Sequence, residues 1–172
     1  KGKGMGLEQS YTGKAFPYKN RADGSKSGWS MDRKYYKDPA IFEREKEKII
    51  YNSWIFAGHI SQIPNVGDFF LFNLLDESII IVRTLDGNIA AHYNVCPHRG
   101  SNVCLENKGN SKRFSCPYHA WSFELDGSLF SAHNMPDGFD KSEISLHKCT
   151  FEIIEGLIFV NLSDTPEKLE NA

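Results

Sequence analysis

The chain has 172 residues, a formal net charge of −2 and 40% hydrophobic residues. That length suits one domain with a modest core, and the balanced charge supplies no basic field for nucleic acid. No apolar run approaches the roughly 18 residues of a membrane span and nothing reads as a secretory leader, so a soluble, cytoplasmic protein with no membrane attachment is expected.

Residues 1–34 are rich in Gly, Lys and Ser and poor in aliphatics, which predicts an extended or partly disordered arm. Two roles stay open for its aromatics Tyr11, Phe16, Tyr18 and Trp29: docking on a neighbouring surface, or resting on the same domain. Asp38-Pro39 then starts a helix, with Asp as N-cap and Pro at the first helical position. The helix is expected to run to about Ser53. Phe42, Ile49, Ile50 and Trp54 would lie on its inner face, and Glu43 to Lys48 would be a solvated face with i,i+3 and i,i+4 pairs.

From Trp54 the pattern changes to strands. Trp54–His59, Asp68–Leu74, Ser78–Thr84 and Ile89–Asn94 are β-branched and aromatic runs, with a turn at Pro64–Gly67 and a two-residue hairpin signal at Asp86-Gly87. Shorter strands follow at Arg113–Ser115, Trp121–Glu124 and Leu129–Ser131, the last after a turn at Asp126-Gly127. A long loop, His133–Leu146, precedes two final strands, Lys148–Ile154 and Leu157–Asn161, joined around Gly156. This spacing predicts a mainly β fold, an all-β sandwich or a stack of small antiparallel sheets, behind one N-terminal helix.

Two runs carry the chemistry: Cys96-Pro97-His98-Arg99-Gly100 and Cys116-Pro117-Tyr118-His119. One thiol and one imidazole on each of two matched loops suit a Rieske-type [2Fe–2S] cluster, with both cysteines on one iron and both histidines on the other. Neutral imidazoles in place of two thiolates lower the negative charge an added electron must meet. Such centres accordingly lie at about −150 to +300 mV, against about −400 mV for plant-type ferredoxins. Pro97 and Pro117 stiffen the loops, and Gly100 allows a turn after the first. The same Cys₂His₂ set could hold a structural zinc, although zinc fingers usually place both cysteines before both histidines. A Cys96–Cys116 disulfide fits a chain without secretion signals less well.

From about Tyr35 to Leu162 the chain resembles the N-terminal Rieske domain of the α subunit of Rieske non-haem iron, ring-hydroxylating oxygenases. The resemblance runs through Tyr36-Lys37-Asp38-Pro39-Ala40-Ile41-Phe42, Trp54-Ile55-Phe56-Ala57-Gly58-His59 and Asn94-Val95. It continues through Trp121, Leu125-Asp126-Gly127 and Gly156-Leu157-Ile158-Phe159-Val160-Asn161-Leu162. It places the cluster ligands on Cys96, His98, Cys116 and His119, and implies a Rieske-type fold over 35–162 with a cluster-binding subdomain at about 94–131. Residues 163–172 would be a linker toward a catalytic domain carrying a mononuclear Fe(II) on a 2-His-1-carboxylate triad. No residue of this chain is assigned to that triad. A reductase or ferredoxin would supply electrons, and in a homotrimer-type assembly His98 and His119 would face a neighbouring subunit's catalytic domain.

Respiratory Rieske proteins carry an extra cysteine in each loop and two hydroxyl donors near the cluster. The matching positions here are Ser101, Tyr118, Trp121 and Phe123, so no bridge can form between the loops and a potential low in the Rieske range is expected. A stand-alone Rieske ferredoxin is the alternative, but family ferredoxins lack the arm, the helix and the tail from Ser163. The stretch Cys116–Lys141 is more similar to members acting on quaternary amines, with aromatic-ring dioxygenases as runner-up. Tyr118 and Trp121 are expected to shield the cluster. Arg99 has two open roles, salt bridge or redox tuning. His59 and His92 read as structural, His133 and His147 as surface residues, and Cys104 and Cys149 as buried free thiols.

Overall fold

The computed structural model describes residues 32–136 and 138–171. The arm expected over 1–34 lies outside the described residues as far as Met31. The chain divides into two compact units at Tyr51/Asn52.

In the first unit, α1 (Lys34–Lys37) and α2 (Pro39–Lys48) meet at Asp38. Pro39 forces the residue before it out of the helical region, and Asp38 sits at φ −80°, ψ 115°. Its side chain then caps α2 by accepting the Ala40 N–H at 2.9 Å, as the Asp-Pro signal predicts. Other expectations need correction. A short helix precedes Asp38, and α2 ends at Lys48 with a 3₁₀ turn over Ile50–Asn52, so Trp54 lies outside it. Phe42 and Ile49 are 45% and 59% exposed, whereas Lys46 is only 9% exposed. The Lys46 ammonium reaches Glu43 at 2.8 Å and stands 5.5 Å above the Phe42 ring, so its stem lies along the helix surface instead of extending into water.

The second unit is built of three antiparallel sheets. The first has the order β1 (Ile55–His59), β10 (Leu157–Asn161), β9 (Thr150–Ile154). The second has the order β4 (Ile89–Tyr93), β3 (Glu77–Arg83), β2 (Asp68–Leu74), β5 (Lys108–Asn110). The third is the meander β6 (Phe114–Ser115), β7 (Ser122–Phe123), β8 (Leu129–Ser131).

The middle sheet is covered on both faces, and β3 shows why. Ile79 and Ile81 join Ile63, Phe70, Ile158 and Val160 in one core. Ile80 and Val82 face the other way, into a core with Phe69, Cys96, Cys116, Trp121, Phe123 and Leu125. All four β3 residues are fully buried, so an uninterrupted apolar run replaces the alternation of a one-sided strand.

Two turns share one construction. In Thr84-Leu85-Asp86-Gly87-Asn88 and Glu124-Leu125-Asp126-Gly127-Ser128 the glycine N–H donates to the carbonyl of the residue three before it, at 3.0 Å in both. The glycines take φ +83° and +91°. Each is a three-residue hairpin loop with glycine in the left-handed region, not the two-residue turn expected at Asp86-Gly87. Beyond β10 the chain is tied back to the first sheet. The Trp54 indole N–H donates to the Glu167 carbonyl at 2.8 Å, and the Leu169 N–H donates to the Glu152 carboxylate at 3.2 Å.

Candidate metal centre

Loop 1 leaves β4 through Asn94, which is fully buried. Its Oδ1 accepts the N–H groups of Val103 at 3.0 Å and Cys104 at 2.8 Å, and its Nδ2 donates to the Cys104 carbonyl at 2.8 Å. One amide side chain thus clamps both ends of the segment 94–104, which holds Cys96 and His98. Loop 2 connects β6 to β7, so the ladder between those strands fixes its two ends.

The two loops are close backbone copies. In loop 1 the Cys96 N–H donates to the Ser101 carbonyl at 2.8 Å and the Gly100 N–H donates to the Cys96 carbonyl at 2.9 Å. In loop 2 the Cys116 N–H donates to the Trp121 carbonyl at 2.7 Å and the Ala120 N–H donates to the Cys116 carbonyl at 3.0 Å. The fourth residue after each cysteine is left-handed: Gly100 at φ +72° and Ala120 at φ +59°. Alanine there stores about 1–2 kcal/mol of strain. No signal in the sequence marked it.

All four sequence-predicted residues come together, and they do so as two pairs. Cys96 and Cys116 are each 2% exposed and share one buried cluster, close enough for each thiol to act on the other. Burial pushes the Cys96 thiol above its ordinary pKa, and the neighbouring Cys116 adds to this. The backbone N–H groups of His98 and Arg99 point at the Cys96 sulfur and oppose it. The histidines form the second pair, with ring centroids 4.6 Å apart. His119 Nδ1 is buried and has no hydrogen-bond partner. Burial, then the adjacent His98 and Arg99, lower the His119 pKa and favour the neutral imidazole, which is the form that binds metal. Among the described residues no three Cys, His, Asp or Glu side chains converge as a single ion would require. Sulfur donors in one pair and nitrogen donors in another are what a two-iron centre needs. The donor set and the unpartnered His119 nitrogen fit a [2Fe–2S] cluster, which on this ligand set supplies one-electron transfer.

A family profile described as the Rieske [2Fe-2S] domain matches residues 53–152. The chain belongs to the Rieske [2Fe–2S] domain family. Among curated relatives, the carnitine monooxygenase oxygenase subunit of Escherichia coli K12 is 37% identical over 146 residues, covering 83% of this chain and 39% of the relative. The benzene 1,2-dioxygenase α subunit of Pseudomonas putida is 33% identical over 143 residues, covering 81% and 32%. Among solved structures, a quaternary ammonium Rieske monooxygenase in complex with L-carnitine superposes with a TM-score of 0.73 at 37% identity, covering 80% of this chain and 40% of that one. The chain therefore spans about two fifths of the length of the carnitine monooxygenase subunit. The mainly β Rieske architecture agrees with the fold expected from the sequence.

Within this Rieske domain the aromatic residues surround the histidine pair. Trp121 is 4% exposed and lies flat against His98, with centroids 4.6 Å apart and planes 6° from parallel. Tyr118 contacts the His119 ring at 3.9 Å but is 58% exposed, so Trp121 is the shield and Tyr118 marks the rim. The cysteines are free.

The remaining histidines sit elsewhere. His59 caps the 3₁₀ turn Ile60–Gln62 by accepting the Ser61 N–H at 3.1 Å. His92 is buried against the Leu125 carbonyl at 3.1 Å, while His133 and His147 are exposed. Between the two Asp-Gly turns, a cleft of about 520 Å³ is lined by residues including Asp86, His92, Asp126 and Lys148. It holds none of the four donors. Among the described residues no helix is long and apolar enough to cross a membrane.

Proposed function

We propose that this chain is the electron-relay domain of a Rieske non-haem iron oxygenase α subunit. Cys96 and Cys116 hold one iron of the cluster, and His98 and His119 hold the other. The observation that carries the ligand assignment is the pairing: buried sulfur with sulfur, and nitrogen with nitrogen beside an unpartnered His119 Nδ1. A structural zinc would draw all four donors to one point.

Electrons enter from a reductase or ferredoxin and leave, one at a time, for a mononuclear Fe(II) in a catalytic domain outside this sequence. There, O₂ is used for hydroxylation or demethylation. The half-exposed His98 and His119 form the exit edge toward a neighbouring subunit in a homotrimer-type assembly. Residues 163–172 form the linker to the catalytic domain. A quaternary amine is the favoured substrate class, supported by 37% identity to the carnitine enzyme against 33% to the benzene dioxygenase subunit.

The oxygenase reading is tested on the protein encoded by the whole gene, supplied with NADH and a flavin reductase. Oxygen uptake stimulated by carnitine or glycine betaine, and not by benzene, is the expected result. Cluster reduction with no oxygen uptake on any of these would instead favour a stand-alone electron carrier.

A further inference from the structure

Three buried side-chain polar atoms among the described residues have no hydrogen-bond partner: His92 Nδ1, His119 Nδ1 and Trp121 Nε1. Two of them are in the metal centre. His119 Nδ1 is a lone pair, which the iron would satisfy. Trp121 Nε1 is different in kind, because an indole nitrogen carries a hydrogen and can only donate. Solvent does not reach it, and no protein acceptor meets it. An orphaned buried donor costs about 1–3 kcal/mol, so a native site that keeps one provides an acceptor in another form.

The surroundings restrict that form. Trp121 belongs to the same buried core as Cys96 and Cys116, whose other members are apolar. Its ring is stacked on the ligand His98, and its carbonyl is already engaged by the Cys116 N–H. It also meets Phe139, with centroids 6.0 Å apart, which offers no lone pair. The acceptors the loaded site adds to this core are sulfurs.

Resting on the [2Fe–2S] reading above, we propose that the Trp121 indole N–H donates a hydrogen bond to a sulfur of the cluster and thereby raises its reduction potential. A donor to sulfur favours the state with the extra electron, because that electron increases the negative charge the donor faces. Position 121 is where respiratory Rieske proteins place a serine hydroxyl, so the indole N–H substitutes for a donor the sequence alone counts as lost.

The test uses reduced, cluster-loaded protein in which only the tryptophan indole nitrogens carry ¹⁵N. Pulsed EPR is expected to show a ¹⁵N coupling in addition to the histidine nitrogens. Trp121→Phe, which keeps an aromatic ring on His98 and removes the N–H, is expected to lose that coupling and to titrate at a lower midpoint. Phe139→Leu alters another ring contact of the indole while keeping its N–H, and is expected to leave both unchanged. No ¹⁵N coupling in the unsubstituted protein overturns the proposal without needing a variant. So does a Trp121→Phe midpoint equal to or above the parent's, or a Phe139→Leu midpoint that falls equally. If none of these proteins shows a Rieske spectrum, the failure lies with the ligand assignment itself.

Discussion

Gly127 and His92 occupy one space: a Cβ on Gly127 would stand 2.7 Å from His92 Cε1 and 2.9 Å from Nδ1. His92 Nε2 lies 3.1 Å from the carbonyl of Leu125 in the same turn. β4 carries His92 and leads to loop 1, while the turn closes the β7–β8 hairpin that follows loop 2. The contact therefore fastens the two ligand loops together from behind.

The twin turn provides an internal control. Gly87 has φ +83° but nothing within 4 Å of a built Cβ, so Gly87→Ala meets only backbone strain, about 1 kcal/mol. Gly127→Ala adds overpacking against a fully buried ring, for about 2–5 kcal/mol in all. Urea unfolding of both variants should separate them by about 1 kcal/mol or more. Equal losses would mean the His92 ring gives way freely.

Burial holds the His92 pKa below its ordinary 6.5, with Lys148 acting in the same direction and the Leu125 carbonyl and Asp126 opposing it. As the pH falls through about 6.5 the unfolded chain takes up this proton while the folded chain does not. Stability is therefore full above that range and declines below it, until folded His92 is itself protonated. The slope from this group is at most about 1.4 kcal/mol per pH unit. His92→Gln should flatten the fall in urea midpoint between pH 7.5 and 5.5. An unchanged slope would assign the effect to other groups.

Asn94→Ala removes the acceptor of two buried N–H groups and the donor to the Cys104 carbonyl. Leaving these unsatisfied costs about 2–4 kcal/mol. Because the same bonds shape loop 1, cluster retention on anaerobic gel filtration should fall along with thermal stability. A variant that is destabilised yet retains its iron fully would show that the clamp does not serve the centre.

Much of this was legible in the sequence because the determining forces are local. Asp68–Leu74, Leu129–Ser131 and Leu157–Asn161 form strands at the expected bounds, and Asp38-Pro39 caps a helix as its chemistry dictates. The proline that signals this start also ends a preceding turn of helix, which a reading centred on Asp38 passes over. β5 was missed for a different reason. Lys108-Gly109-Asn110 has no strand propensity and is a strand only because β2 pairs with it, Phe69 opposite Gly109. There a glycine Cβ would press on the Phe69 ring at 3.2 Å. The four donors were visible as types and spacings. The Asn94 clamp, the left-handed Ala120 and the stacking of Trp121 on His98 depend on segments distant in sequence, and these long-range contacts set the geometry.

The most direct test of the account is anaerobic reconstitution with iron and sulfide, followed by metal and sulfide analysis, visible absorption and EPR of the reduced protein. The account predicts equimolar iron and inorganic sulfide with a Rieske spectrum, lost in His98→Ala and His119→Ala. A colourless protein that binds zinc and holds no inorganic sulfide would contradict it.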